Sequence, residues 1–124
     1  MDGRVLRPVV HAVMCAVAAL PTAPASAAAP AYVTTVNSLY VYGDVVVVRG
    51  GTLTLVNLED VAHDIVSSDP PGENGPLFQS RLTAGRGDSA VVEGVPALGP
   101  GLWPFHCSLH ASMRGLIDVR ELPA

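Results

Sequence analysis

The segment FHCSLHASM, residues 105–113, determines how the rest of this sequence is interpreted. Cys107, His110 and Met113 are separated by two residues each, so one tight loop turns all three side chains toward a common point. A further histidine outside this segment, His63, lies 44 positions before Cys107. One thiolate, two imidazoles and one thioether match a trigonal metal site with a weak axial methionine. Soft sulfur ligands suit Cu(I) and imidazoles also suit Cu(II), so the set predicts bound copper.

Side-chain alternation around this loop supports the prediction. In residues 101–107, Trp103, Phe105 and Cys107 share one face of an extended strand. The matching inward row after the loop is Met113, Gly115, Ile117 and Val119. Cys107 and Met113 are therefore predicted at the ends of two neighbouring strands.

Short apolar runs separated by turn residues fill the rest of the chain. The predicted strands cover residues 32–36, 39–42, 45–48, 52–57, 63–66, 89–92, 101–106 and 115–120. They are rich in β-branched and aromatic residues, and no stretch beyond the first 27 residues has a helical period. Seven or eight strands at this spacing predict an all-β sandwich or barrel, in which His63 begins a strand.

Composition excludes several classes of protein. A length of 124 residues fits one domain, and 49% hydrophobic with 15% charged residues argues against disorder. All seven basic residues are scattered arginines and the net charge is −4, so no nucleic-acid-binding patch is predicted. Two cysteines are too few for a disulfide-stapled scaffold.

Residues 1–27 are predicted to be a cleaved signal peptide. Arg4 and Arg7 precede an apolar run over residues 9–20, and the small residues 25–27 offer a cleavage site. The run ends in proline and is shorter than the roughly 20 residues that a membrane span needs. We therefore expect export to the periplasm or the extracellular space, with envelope association left open, and a mature domain of residues 28–124.

Export has a consequence for the cysteines. Cys15 leaves with the signal peptide, and a lipid anchor there is rejected because Met14 stands where a small residue is expected. Cys107 is then a single thiol in an oxidising compartment, where disulfides are favoured. A bound metal ion explains how such a thiol is protected.

The sequence resembles the small blue copper proteins, the cupredoxins of the plastocyanin and amicyanin type, from about Leu39 to Val119. The resemblance is carried by VNLEDVAH (56–63), FQS (78–80), LGPG (98–101) and FHCSLHASMRG (105–115). The gap between His110 and Met113 is similar to that of amicyanin and shorter than that of plastocyanin. This resemblance implies a Greek-key β-sandwich.

The resemblance also implies a ligand set and a function. His63, Cys107 and His110 would be the equatorial ligands, and Met113 the axial ligand, of one copper ion cycling between Cu(I) and Cu(II). Four protein ligands leave no open position for a substrate, so we expect a monomeric electron carrier and not an enzyme. Redox donor and acceptor proteins would dock transiently near His110 and Leu109. The expected apolar rim of this docking face consists of Leu98, Pro100, Leu109 and Ala111.

Three other interpretations of the ligand set fit the sequence less well. A copper carrier or buffer that delivers metal to exported enzymes is the main alternative, although such carriers more often present open Met- or His-rich sites. Zinc is disfavoured because methionine is a poor zinc ligand. Catalysis by Cys107 lacks a supporting oxyanion motif.

Three positions depart from the family pattern or need separate treatment. Asp64 stands where the family often has an asparagine that ties the two ligand loops together, and its charge is expected to favour Cu(II). Leu109 replaces a common proline. His106 is predicted on the face opposite Cys107, so it is a surface residue or a side route for electrons and not a ligand.

Overall fold

The structure, a computed structural model, describes Gly3 and residues 29–122. The described chain contains eight strands: β1 (Ala31–Val36), β2 (Leu39–Val41), β3 (Asp44–Val48), β4 (Leu53–Asn57), β5 (Val66–Ser67), β6 (Ser89–Val91), β7 (Gly101–His106) and β8 (Arg114–Arg120). A 3₁₀ turn over Val95–Ala97 connects β6 to β7. Apart from Gly3, the predicted signal peptide, with Cys15, lies outside the described residues. Across residues 29–122, no helix has the length and apolarity to cross a membrane.

The strands form two four-stranded sheets, so the predicted all-β sandwich is confirmed. One sheet has the order β2-β1-β4-β6 and the other the order β3-β8-β7-β5. The pairs β1–β4 and β3–β8 are parallel, and the remaining pairs are antiparallel. The antiparallel β7–β8 pair places the residues after β7 beside those before β8, which is where Cys107 and Met113 lie.

Alternating side chains from both sheets fill the space between them. In β4, for example, Leu53, Leu55 and Asn57 point inward and are buried. The largest fully buried apolar side chains are Phe78, Phe105, Leu53, Leu55, Ile65, Met113 and Ile117. Trp103 packs half-buried against this core and donates its indole N–H to the Gly99 carbonyl at 3.0 Å.

Two glycines are required by close backbone packing. Gly94 has φ 94°, and a Cβ there would lie 2.3 Å from the Leu77 carbonyl oxygen. At Gly115 a Cβ would lie 2.4 Å from the Phe105 ring and 2.5 Å from the Gly43 carbonyl oxygen. Gly115 thus lets the Phe105 ring cover the first residues of β8 close to the Cys107 loop.

One predicted strand is wrong in a way that concerns the site. Seven strands begin and end within one residue of their predicted bounds, but the strand predicted over 63–66 is only Val66–Ser67. His63 therefore lies in an irregular segment. Its backbone bonds to Thr83 and not to a neighbouring strand. The Thr83 hydroxyl accepts the His63 N–H at 3.1 Å, and the Thr83 N–H donates to the His63 carbonyl at 2.9 Å.

Candidate metal centre

Three of the four predicted ligand residues meet at one end of the sandwich. The ligand atoms of His63, Cys107 and His110 all lie within 4.8 Å of one another. Cys107 Sγ is 4.0 Å from His63 Nδ1 and 3.6 Å from His110 Nδ1. His63 and Cys107 are buried, whereas His110 is half-buried and reaches the surface. The structure brings together residues that are 44 positions apart in the sequence.

The spacing of these atoms fits a single small metal ion. Metal–nitrogen bonds of about 2.0 Å and metal–sulfur bonds of about 2.3 Å, at wide angles, separate nitrogen from sulfur by about 3.5–4 Å. The two measured sulfur–nitrogen distances lie in this range. A thiolate with two imidazoles is a donor set that suits copper. The residues present therefore fit the predicted ion.

The Cys107–Met113 loop is closed by its own backbone. The Cys107 N–H donates to the Met113 carbonyl at 3.1 Å, and the Met113 N–H donates to the His110 carbonyl at 2.9 Å. Met113 is fully buried in the same apolar cluster as Cys107. Met113 therefore lies beside Cys107 at the ends of the neighbouring strands β8 and β7, as the strand alternation predicted.

Glu59 orients His63, and its role was not foreseen. One Glu59 oxygen bonds His63 Nε2, and the other accepts the Ser38 N–H at 2.8 Å. Burial opposes the charged form of Glu59, but the Ser38 N–H and the His63 ring outweigh it and hold its pKa below the ordinary value. Because a carboxylate on Nε2 favours the proton there, Nδ1 is left free to face Cys107.

Asn57 and Thr83 hold the irregular segment around His63. The Asn57 amide donates to the Val61 carbonyl at 2.7 Å and to the Thr83 hydroxyl at 2.9 Å, and its oxygen accepts the Glu59 N–H at 2.8 Å. Both side chains are buried. Asn57 could have been noticed in the sequence, because it is a polar residue at the next inward-facing position of β4 after Leu53 and Leu55. Thr83 could not have been, because it lies in an irregular loop.

Asp64 connects the His63 segment to the Cys107 loop, as expected of the family's asparagine. Its Oδ1 accepts the Ser108 N–H at 2.7 Å, and its Oδ2 accepts the Ser108 hydroxyl at 2.6 Å. The Tyr40 hydroxyl donates to the Asp64 carbonyl oxygen. Burial, together with the nearby Cys107 and Asp64, raises the pKa of Tyr40 far above its ordinary value, so this hydroxyl stays neutral.

His106 lies outside the cluster, as predicted. Its Nδ1 bonds the Ser68 hydroxyl at 2.8 Å, and it is half-buried on the outer face of its sheet.

The predicted docking rim needs correction at two positions. Leu98 is only 6% exposed, because it directly follows the 3₁₀ turn and packs into the hydrophobic core. Pro100 precedes β7 at the end of the sandwich opposite Cys107, about 20 Å away along a six-residue strand. Leu109 and Ala111 are exposed beside His110. Further exposed apolar residues, which adjoin or belong to the hydrogen-bonded network around His63 and were missed in the sequence, are Leu39, Leu58, Val61 and Leu82.

Comparison with known proteins identifies the fold. No protein-family profile and no curated protein matches the sequence. Solved structures do match: a proline-to-glycine variant of amicyanin, in its reduced Cu(I) form at pH 4, is 20% identical with a TM-score of 0.61. The match covers 74% of this chain and 83% of that one. The oxidised state of a proline-to-alanine variant of amicyanin matches equally, covering 73% and 82%. The chain is therefore cupredoxin-like in fold, as its resemblance implied.

Proposed function

We propose that this protein is an exported blue copper protein that carries single electrons between redox partner proteins. The observation that carries the proposal is the convergence of His63 Nδ1, Cys107 Sγ and His110 Nδ1 at separations suited to one metal ion. The amicyanin-like fold supports it, since those proteins are described in Cu(I) and oxidised forms.

His63, Cys107 and His110 would hold the ion, with Met113 as the axial ligand. Bound copper supplies a one-electron couple between Cu(I) and Cu(II). The chain contributes the environment: burial of His63 and Cys107 keeps water away, and Glu59 fixes the His63 ring. Half-buried His110 connects the buried cluster with the outer surface.

We infer a carrier and not an enzyme, because four protein ligands leave no open position for a substrate. Residues 1–27 would direct export to the periplasm or beyond, and residues 28–124 would act as a monomer. The copper-delivery alternative is less well supported, since two of the three convergent residues are buried and a delivery site has to release its metal.

Copper loading with a visible spectrum tests the site. We expect Cu(II) to give an intense blue absorption that disappears on reduction and is absent in Cys107→Ser. Ser112→Ala, an exposed serine in the same loop, is the matched control and should keep the colour. A colourless protein that retains Cu(I) tightly would contradict the electron-carrier proposal and favour copper delivery.

Electron self-exchange tests the docking face without an identified partner. In a mixture of reduced and oxidised protein, two copies meet through the apolar surface around His110. Leu109→Glu places like charges there and should slow self-exchange, measured by NMR line broadening, by about tenfold or more. Leu122→Glu is the matched control, since Leu122 is 55% exposed against 54% for Leu109 but follows β8 at the opposite end. Equal rates in both variants would place the docking face elsewhere.

A further inference from the structure

The carboxylate of Asp64 lies beside the proposed metal centre but is not one of the three convergent ligand groups. Asp64 is only 5% exposed. Both of its carboxylate oxygens accept hydrogen bonds from Ser108, one from the N–H and one from the hydroxyl. Because Ser108 directly follows Cys107, these bonds hold a buried carboxylate one residue from the proposed thiolate ligand.

Within residues 29–122, no arginine forms an ion pair with this carboxylate. The four arginine–carboxylate pairs within residues 29–122 involve Glu121, Asp88, Asp60 and Asp118, and none includes Asp64. Among the described residues, the hydrogen-bond donors to the Asp64 carboxylate are the neutral N–H and hydroxyl of Ser108, whereas Tyr40 donates to the Asp64 backbone carbonyl. The other carboxylate at the cluster, Glu59, bonds the His63 ring and pairs with no arginine in the described part of the chain. Two acidic groups therefore adjoin the cluster.

We infer that Asp64 is a selectivity determinant of this site, whose negative charge favours a divalent over a monovalent bound ion. The inference rests on the proposed metal site and deepens it: a group that favours Cu(II) lowers the reduction potential and makes the reduced protein the stronger electron donor. Buried charges interact more strongly than exposed ones because the surrounding dielectric constant is lower. Two short hydrogen bonds keep the Asp64 carboxylate from turning outward to solvent.

Asp64→Asn is the sharpest test because it removes the charge and keeps the shape. Its amide oxygen still accepts the Ser108 N–H, and its amide nitrogen faces the Ser108 hydroxyl, which can rotate to accept. Asp60→Asn is the matched control. It removes a carboxylate from the same segment, but the Asp60 side chain is 83% exposed and pairs with Arg86. The probes are Cu(I), Cu(II) and Zn(II), each measured by competition with a chromophoric chelator at one fixed pH.

We expect the ratio of Cu(I) to Cu(II) affinity to rise at least about tenfold in Asp64→Asn, equivalent to about 59 mV in the reduction potential. The ratio should stay at the wild-type value in Asp60→Asn. The apo form of Asp64→Asn should unfold at nearly the wild-type temperature, which separates the charge effect from a loss of structure. An unchanged ratio in folded Asp64→Asn would overturn the inference.

Ser108→Ala separates charge from positioning. It keeps the Asp64 charge and removes one of its hydrogen bonds, so the affinity ratio should remain close to the wild-type value. A shift as large as that of Asp64→Asn would overturn the inference, because loop geometry would then explain both results. Asp64→Ser, a smaller neutral replacement, provides the same comparison if Asp64→Asn does not fold.

The outcomes also distinguish this inference from the proposed function. If the wild-type protein binds metal without an intense blue absorption, the electron-carrier proposal fails, and the ratio of Cu(I) to Zn(II) affinity still tests Asp64. If it binds none of the three ions, both the proposed function and the role of Asp64 are overturned.

Discussion

The two segments that supply the convergent side chains are built in different ways. The Cys107–Met113 loop is short and closed by backbone hydrogen bonds between its own residues. The segment around His63 is held by side chains outside it, Asn57 at the end of β4 and Thr83, 20 positions after His63. The first segment is therefore encoded locally, whereas the second depends on the folded sandwich.

Because of this difference, we expect the two segments to respond differently to substitution. Changes in the network around His63 should move one ligand and leave the Cys107–Met113 loop in place. The hydrogen bonds between Asp64 and Ser108 join the two segments directly. A substitution in one segment should therefore affect the other only while these bonds are intact.

Asn57→Ala should give the largest effect on stability. It removes an amide that makes four hydrogen bonds and leaves buried partners unsatisfied, among them the Thr35 hydroxyl. The free energy of unfolding should fall by about 3 kcal/mol, measured by urea denaturation of the apo-protein. Asn74→Ala, an exposed asparagine, is the control and should change it by less than about 0.5 kcal/mol. Equal losses in both variants would contradict the network around His63.

Glu59→Ala should act on metal binding more than on the fold. Without the carboxylate on Nε2, the His63 ring loses its fixed orientation, and copper affinity should fall by about 10- to 100-fold. Chelator competition measures this, and Glu73→Ala, an exposed glutamate in the 67–75 loop, is the control. Unchanged affinity in Glu59→Ala would show that the Glu59 carboxylate does not position His63.

Acid should destabilise the loop that carries Thr83, and this should be the smallest of the three effects predicted in this section. The Arg81 guanidinium and the Ala84 N–H hold the pKa of Asp88 well below its ordinary value. A lowered folded-state pKa stabilises the protein above the unfolded value of about 3.9, and this contribution is lost as the pH falls below it. The apo wild-type protein should therefore lose more thermal stability than Asp88→Asn between about pH 5 and pH 2. Parallel declines in the two proteins would contradict this role.

The sequence predicted what depends on local spacing and alternation. Cys107, His110 and Met113 could be placed together because their separations fit one loop, and the inward rows of β7 and β8 followed from the two-residue period. The strands were predicted within one residue wherever β-branched runs had clear turn boundaries.

The failures concern contacts made outside regular secondary structure. The apolar residues beside His63 predict a strand there, whereas bonds to Thr83 hold it in an irregular conformation. The resemblance implies Leu98 on the docking rim, but neither it nor side-chain alternation reveals which loop residues fold back onto the core, where Leu98 is buried. The i, i+4 contact between Glu59 and His63 was missed because it lies outside regular secondary structure.

The position of Trp103 makes it a useful reporter. It is the only tryptophan of the chain and lies on β7, the strand that ends just before Cys107. Four residues of extended strand place its backbone about 13 Å from that of Cys107. Indole fluorescence should therefore be quenched when a coloured ion occupies the neighbouring cluster, and should return when the ion is reduced or removed. One optical signal can then follow metal loading, redox state and unfolding without an attached label.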